Sequence, residues 1–299
     1  ISAGSTTGTA SFTPTDDASD PVYEENETAI VVISGVSGGG ASESGSQSVT
    51  LTIIENESAP TVTLASNASS IAENAGSALT LTATLSGKVD ETVTVSISTS
   101  GTSAEGTDYS TISDITISAG NTTGTASFTP TDDPGDPVYE KNETAIVAIS
   151  GVSGGGVTES GSQSVTLTIT ENESAPTVTL ATSASSISEN AGSALTLTAT
   201  LSGKADEAVT VSISTSGTGT EGTDYATISD ITISAGNTTG TASFTPTDDS
   251  IYEGDETGIV AISGVSGGGA SESGLQSVTL TITENESAPT VTLTSSASS

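Results

Sequence analysis

Leu79-Thr80-Leu81-Thr82-Ala83-Thr84-Leu85 is the stretch that decides the fold. Its apolar side chains alternate with threonine, so an extended chain here has one greasy face and one wet face. A period of two marks a half-buried β-strand. Threonine is β-branched and polar, so it favours a strand while facing water. The same alternation runs through Val93, Val95 and Ile97, and through Val165, Leu167 and Ile169. No segment of the repeat has convincing helical periodicity.

Around that stretch the chain repeats itself. Glu55-Asn56-Glu57-Ser58-Ala59-Pro60 returns as residues 171–176 and again as 284–289, at spacings of 116 and 113 residues. The difference comes from Asp132-Asp133-Pro134-Gly135-Asp136-Pro137-Val138-Tyr139-Glu140, which shortens to Asp248-Asp249-Ser250-Ile251-Tyr252-Glu253. A period this long is a domain and not a solenoid coil. The expected organisation is a C-terminal half-repeat at 1–57, complete repeats at 58–173 and 174–286, and the first strand of another at 287–299. The chain opens in mid-repeat, so its natural ends are expected elsewhere.

Seven strands are expected in 58–173: A 60–71, B 77–86, C 91–99, D 112–118, E 122–130, F 143–151 and G 162–170. Gly120 and Asn121 would turn a D–E hairpin, and Gly154–Gly156 would form a flexible F–G hairpin. The fold class is all-β: tandem seven-stranded immunoglobulin-like antiparallel β-sandwiches arranged head to tail. With aromatics at only 3% of the chain, the cores must be small, filled by Phe128, Tyr109 and Tyr139.

Charge narrows the function. The formal net charge is −34, with 37 acidic residues and three lysines, Lys88, Lys141 and Lys204. Nucleic acid is a poor partner without a basic footprint, and an anionic membrane is disfavoured likewise. No apolar run reaches membrane-spanning length. Cysteine and histidine are absent, which removes disulfides and the usual zinc and copper ligands. Oxygen ligands remain, and those suit Ca2+.

Strand parity tells where the acids fall. If A runs upward, the A–B, C–D and E–F connections and the end of G share one tip. Ten of the fourteen acids of 58–173 belong to that tip, while Asp90, Glu91 and Glu159 belong to the other end and Asp114 opens strand D. Two like charges 4 Å apart repel by about 1 kcal/mol in water and about 4 kcal/mol at an effective dielectric near 20. A shared cation would relieve this, and a cation beside the end of G would stiffen the joint to the next repeat. The alternative is a set of solvated acidic loops that keep the chain soluble.

The same residues resemble the Calx-beta domain: Ser70-Ile71-Ala72-Glu73-Asn74-Ala75-Gly76, Gly106-Thr107-Asp108-Tyr109, Thr131-Asp132-Asp133 followed by Val138-Tyr139-Glu140 and Glu143, then Glu171-Asn172-Glu173. The resemblance implies a seven-stranded sandwich that binds Ca2+ at the tip. The ligands it implies are Glu73, Asp108, Asp132, Asp133, Glu140, Glu143, Glu171 and Glu173. In the next repeat they are Glu189, Asp224, Asp248, Asp249, Glu253, Glu256, Glu284 and Glu286. The first fragment supplies Asp16, Asp17, Glu24, Glu27, Glu55 and Glu57. The family's terminal acidic run is often rich in aspartate, and here it is Glu-Asn-Glu.

The function expected is a calcium-stabilised structural or adhesive rod of an extracellular bacterial surface protein, resembling large adhesin arrays. Its partners would be neighbouring repeats and an adhesion target. One alternative is a subunit of an extracellular filament or sheath, in which other copies are partners. A calcium-sensing regulatory module is a further alternative. No enzyme is expected, since histidine-based triads are excluded and a catalytic site would not be stamped into every repeat. Asn-X-Ser/Thr sequons at Asn26, Asn142 and Asn237 arise easily in so Thr/Ser-rich a chain.

Overall fold

The computed structural model describes residues 1–133 and 135–296, and every regular element among them is a β-strand. The first fragment holds β1 (Val22–Tyr23), β2 (Glu27–Val32) and β3 (Ser48–Ile53). The next repeat holds β4 (Thr61–Ser66), β5 (Ser70–Ala72), β6 (Leu79–Leu85), β7 (Lys88–Val89), β8 (Val93–Gly101) and β9 (Ile115–Ile117). It continues with β10 (Thr123–Phe128), β11 (Val138–Tyr139), β12 (Glu143–Ser153), β13 (Thr158–Glu159) and β14 (Ser164–Thr170). The last repeat holds β15 (Thr177–Thr182), β16 (Ser186–Ser188), β17 (Leu195–Leu201), β18 (Lys204–Ala205) and β19 (Val209–Gly217). After these come β20 (Ile231–Ile233), β21 (Thr239–Phe244), β22 (Glu256–Ser266), β23 (Ser271–Glu272) and β24 (Ser277–Thr283).

Each of the two later repeats builds a sandwich from a four-stranded and a five-stranded sheet. The orders are β10-β6-β4-β13 with β5-β14-β12-β8-β9, and β21-β17-β15-β23 with β16-β24-β22-β19-β20. The alternation in β6 is realised side chain by side chain: Leu79, Leu81, Ala83 and Leu85 are buried and the threonines between them are not. Both sheets feed one core, where Tyr109 and Phe128 meet with ring centroids 4.7 Å apart. Tyr225 and Phe244 repeat that pair in the last repeat. Aromatic pairs at such distances add about 0.5–1.5 kcal/mol beyond their buried area. The chain groups into two compact units, Ile1–Thr131 with Glu143–Ile169, and Asp132–Asn142 with Thr170–Ser299.

Four details differ from the sequence expectation. The opening strand changes sheets. Its first half, β4, pairs antiparallel with β6, whereas β5 lies beside β14. Asn67 ends the first pairing, with its amide donating to Thr80 O at 3.1 Å and its side-chain oxygen accepting from Thr80 N at 2.9 Å. Thr168 N then donates to Ser69 O, which hands the chain to the other sheet.

D and E form no hairpin. β9 pairs with β8 and β10 with β6, so Gly120-Asn121 carries the chain across the sandwich. The Gly154–Gly156 turn is pinned. All three glycines take positive φ, and Gly155 is buried with its N–H donating to Glu91 Oε2 at 3.0 Å. Tyr139 is no core filler, since it lies half-exposed in the short β11, outside the buried cluster.

Candidate functional site

The last repeat carries a complete tip inside one compact unit. Glu189 follows β16, Asp224 lies between β19 and β20, and Asp248, Asp249 and Glu253 lie between β21 and β22. Glu256 opens β22, and Glu284 and Glu286 follow β24. Sandwich topology brings these segments together from across about a hundred residues of chain. Glu189, Glu284 and Glu286 each place a carboxylate oxygen within 4.8 Å of the other two. Glu189 is buried, and its Oε1 accepts from Asp249 N at 3.3 Å. Thr247 N donates to Asp224 O at 2.9 Å, which ties the loop after β21 to the loop before β20.

The two glutamates of the Glu-Asn-Glu segment divide the work. Glu284 shapes the loop. Its Oε2 accepts from Glu253 N at 2.6 Å and Gly254 N at 2.9 Å, and its Oε1 accepts from Asn285 N at 2.8 Å and Glu286 N at 2.9 Å. Those N–H groups, that of Glu286 first and that of Glu253 next, hold its carboxyl down at about 2. Glu286 is the reverse. A hydrogen bond with the Glu284 carboxyl, then burial and the charges of Glu284, Glu189 and Asp248, push it up to about 7. Its Oε2 is buried with no hydrogen-bond partner.

Burial is also the first cause raising Glu189, Glu253 and Glu256. For Glu253 and Glu256 the charge of Asp224 comes next. For Glu189 the neighbouring charge of Glu284 adds to it, while the Asp249 N–H works the other way. All eight carboxylates expected from the sequence therefore converge here.

The first fragment shows the same design. Asp16, Asp17 and Glu57 bring oxygens within 4.8 Å of one another. Glu55 Oε2 accepts from Glu24 N at 2.6 Å, and Asp17 Oδ2 accepts from Val22 N at 2.6 Å. A hydrogen bond between the carboxyls of Glu55 and Glu57 holds the first at about 2 and pushes the second to about 7. Glu27 is among the charges that raise Glu24, after burial.

The middle set is divided between the two compact units. Asp132, Asp133, Glu140, Glu171 and Glu173 belong to one, and Glu73, Asp108 and Glu143 to the other. Within the former, Glu171 accepts from Glu140 N, and Asp133 Oδ2 accepts from Val138 N at 2.7 Å. Burial opposes ionisation of Glu171, yet the N–H groups of Glu173, Glu140 and Asn172, with the Glu173 carboxyl, hold it below its ordinary value. The hydrogen bond with Glu171 pushes Glu173 up to about 7. Asp133 Oδ1 and Glu173 Oε2 are buried without a partner. In the other unit, Glu73 is buried, Asp108 O accepts from Thr131 N at 2.9 Å, and Glu143 opens β12 opposite Ile169.

Two acids assigned to the tip by strand parity serve elsewhere. Asp136 pairs with Lys204. Glu105 accepts from Ile112 N at 2.9 Å and Thr99 Oγ1 at 2.7 Å, bracing its own loop. One residue class escaped sequence reading. The side-chain oxygens of Asn26, Asn142 and Asp255 accept from Glu55 N, Glu171 N and Glu284 N at 2.9, 3.0 and 3.0 Å. Asn26 and Asn142 carry sequons, but the recurrent side-chain oxygen at this position was the available signal.

The donor set fits a hard cation. It is built of oxygen atoms, and a buried carboxylate oxygen with no partner is costly unless a cation or proton meets it. The fold and the last tip together define a tandem β-sandwich protein with an acidic cradle at one end of its last sandwich. The Calx-beta domain family matches residues 55–173 and 171–286, and the chain belongs to that family.

A comparison with curated protein sequences finds no match. Among solved structures, CBD12 from CALX1.2 is similar at 17% identity over 74% of this chain and 99% of that one, with a TM-score of 0.33. The Yersinia pseudotuberculosis adhesin InvE is similar at 15% identity over 74% of this chain and 58% of its own, with a TM-score of 0.34. Invasin, a bacterial integrin-binding protein, is similar at 17% identity over 92% and 55%, with a TM-score of 0.27. Among the described residues, no helix is long and apolar enough to cross a membrane.

Proposed function

We propose that this chain is a calcium-stabilised structural and adhesive repeat region of an extracellular bacterial surface protein, with Ca2+ held where one repeat passes into the next. The repeats run 58–173 and 174–286, flanked by a half-repeat at 1–57 and, from 287, by the sequence that opens another repeat, which forms no strand among the described residues. The observation that carries the proposal is the recurrent Glu-Asn-Glu cradle. In each copy its first glutamate is fixed by backbone N–H groups, and its second is pushed to about 7, first by the hydrogen bond with that glutamate and then by burial. In Glu173 and Glu286 an oxygen is also buried with no partner. From Glu173 to the next strand at Thr177 the chain has only three residues, so a cation held there acts on the joint.

In the last repeat the ion would be held by Glu286 and Glu189, with Asp248, Asp249, Asp224, Glu253 and Glu256 around them and Glu284 fixing the loop. Calcium supplies two positive charges and takes about six to eight oxygens in flexible geometry. The protein's own part is to hold the carboxylates converged before the ion arrives. The repetition of one cradle suits a mechanical role and not a catalytic one.

Thermal unfolding and small-angle scattering of the whole chain, in chelator and in millimolar calcium, test this. The expected outcome is a melting temperature several degrees higher and a more extended particle with calcium. Identical melting and scattering in both conditions would refute it.

A further inference from the structure

The chain has three lysines against 37 acids, and all three are committed to one kind of contact. Residues 132–142 leave the end of β10 and group with the following sandwich as part of one compact unit. There β11 pairs in parallel with β18, Val138 beside Lys204 and Tyr139 beside Ala205. Asp206 N donates to Tyr139 O at 3.2 Å. Lys204 Nζ meets both oxygens of Asp136 at 2.6 and 2.5 Å. Lys141 Nζ meets Glu207 Oε2 at 2.7 Å, and that oxygen also accepts from Gly268 N at 3.2 Å. The Tyr139 ring lies so close to Gly269 that a Cβ there would fall 2.5 Å from Cε1.

The first fragment makes the same contact with its own following sandwich. β1 pairs in parallel with β7, Val22 beside Lys88 and Tyr23 beside Val89. Asp90 N donates to Tyr23 O at 3.3 Å, and Lys88 Nζ meets Asp20 at 2.7 Å. A Cβ on Gly156 would fall 2.9 Å from Tyr23 Cε1. Two copies with the same strand register, tyrosine, glycine and ion pair make this a built interface and not a chance touch of loops.

We infer that the segment Asp136–Lys141 is a docking arm, and that Lys204–Glu207 with Gly267–Gly269 is the receptor face for it, a self-recognition surface whose partner is another repeat of this chain. None of the contacting groups is one of the carboxylates proposed above as ion ligands, so the dock holds without a cation. Loop length decides which tips can dock. The shorter loop Asp248–Gly254 has no counterpart of Asp136, and Gly254 stands where Lys141 does. That tip lacks the arm.

The chain's lysine count supplies the assay. Amine acetylation of the whole protein, read site by site by mass spectrometry in chelator, compares Lys204 and Lys141 in the native chain with Asp136→Asn and Gly269→Ala variants. Lys88 belongs to the other copy and is the internal control. Docking predicts Lys204 labelling about two- to fivefold faster in both variants, the range set by exposed ion pairs. Lys141 accelerates in Gly269→Ala, and Lys88 stays constant. Adding Tyr139→Ala to Gly269→Ala separates expulsion of the ring from strain in the glycine turn, since the added change removes the clash and leaves the strain. Native Lys204 labelling at the variants' rate in chelator would overturn the inference, as would a Gly269→Ala chain labelled at the native rate.

Discussion

Replacing Glu189 by glutamine should change the sign of its effect with calcium. Glu189 is buried, and its Oε1 accepts from Asp249 N, a bond that a glutamine oxygen preserves. What the substitution removes is a negative charge whose oxygen lies within 4.8 Å of oxygens on Glu284 and Glu286. At that separation a like-charge pair costs about 0.9 kcal/mol in water and about 3.5 kcal/mol at an effective dielectric near 20. The partners are half-exposed, so screening keeps the relief at about 1–2 kcal/mol in total. That is about 4–8 °C in melting temperature for a domain of this size. In chelator the variant should therefore melt higher than the native chain. In calcium the ledger reverses, because a charged ligand has gone. A tenfold loss of affinity removes about 1.4 kcal/mol of ligand-linked stabilisation. The assay is calorimetric or circular-dichroism melting of the full chain, in chelator and in 1 mM calcium at matched ionic strength (about 1 mM suits extracellular calcium modules). A variant that melts lower in chelator would show Glu189 to be a hydrogen-bond node, and an unchanged calcium increment would remove it from the ligand set.

Gly258→Ala should stabilise the last repeat by about 0.4–1 kcal/mol through the unfolded chain. Its new Cβ meets Phe244 at 2.9 Å, but the preceding repeat holds Ala145 at the matching position with its ring pair at the same 4.7 Å separation, so a small ring shift suffices. A lower melting temperature would show that Phe244 cannot move. Asn142→Ala should cost about 0.5–1.5 kcal/mol by leaving Glu171 N unpaired. Asn142→Asp should be tolerated, because Asp255 fills that role in the last repeat, and denaturant midpoints distinguish the two. In chelator, stability should rise as pH falls from about 7 towards 4.5. Glu57, Glu173 and Glu286 are raised to about 7, so the folded chain binds the extra protons across that window. Glu55 and Glu284 sit at about 2, and the stability they contribute is lost only below that window. Melting curves between pH 5 and pH 8 check the sign, and a flat profile would refute the carboxyl pairing.

Period-two alternation determined the strands by itself, because a strand's neighbours one and two residues away fix which side of a sheet each residue faces. Loop parity alone sent acids to the tip, since antiparallel strands alternate in direction, but it also sent Glu105 and Asp136 there; the set of eight for the last repeat came from the resemblance to the Calx-beta domain. Local sequence could not say which sheet a short strand joins. β5 and β10 leave the sheets that the strands just before them occupy, because Asn67 and the Gly120 turn redirect a chain whose alternation is unchanged. Nor could it divide the paired glutamates, which are alike in composition. Only backbone N–H groups converging from distant loops commit Glu284 to the loop and leave an oxygen of Glu286 unmet. Tyr139, Asp136 and the lysines carry no periodic signal at all. Their role is decided by a sandwich whose core lies dozens of residues further along the chain, through a parallel two-residue pairing that only tertiary structure can form.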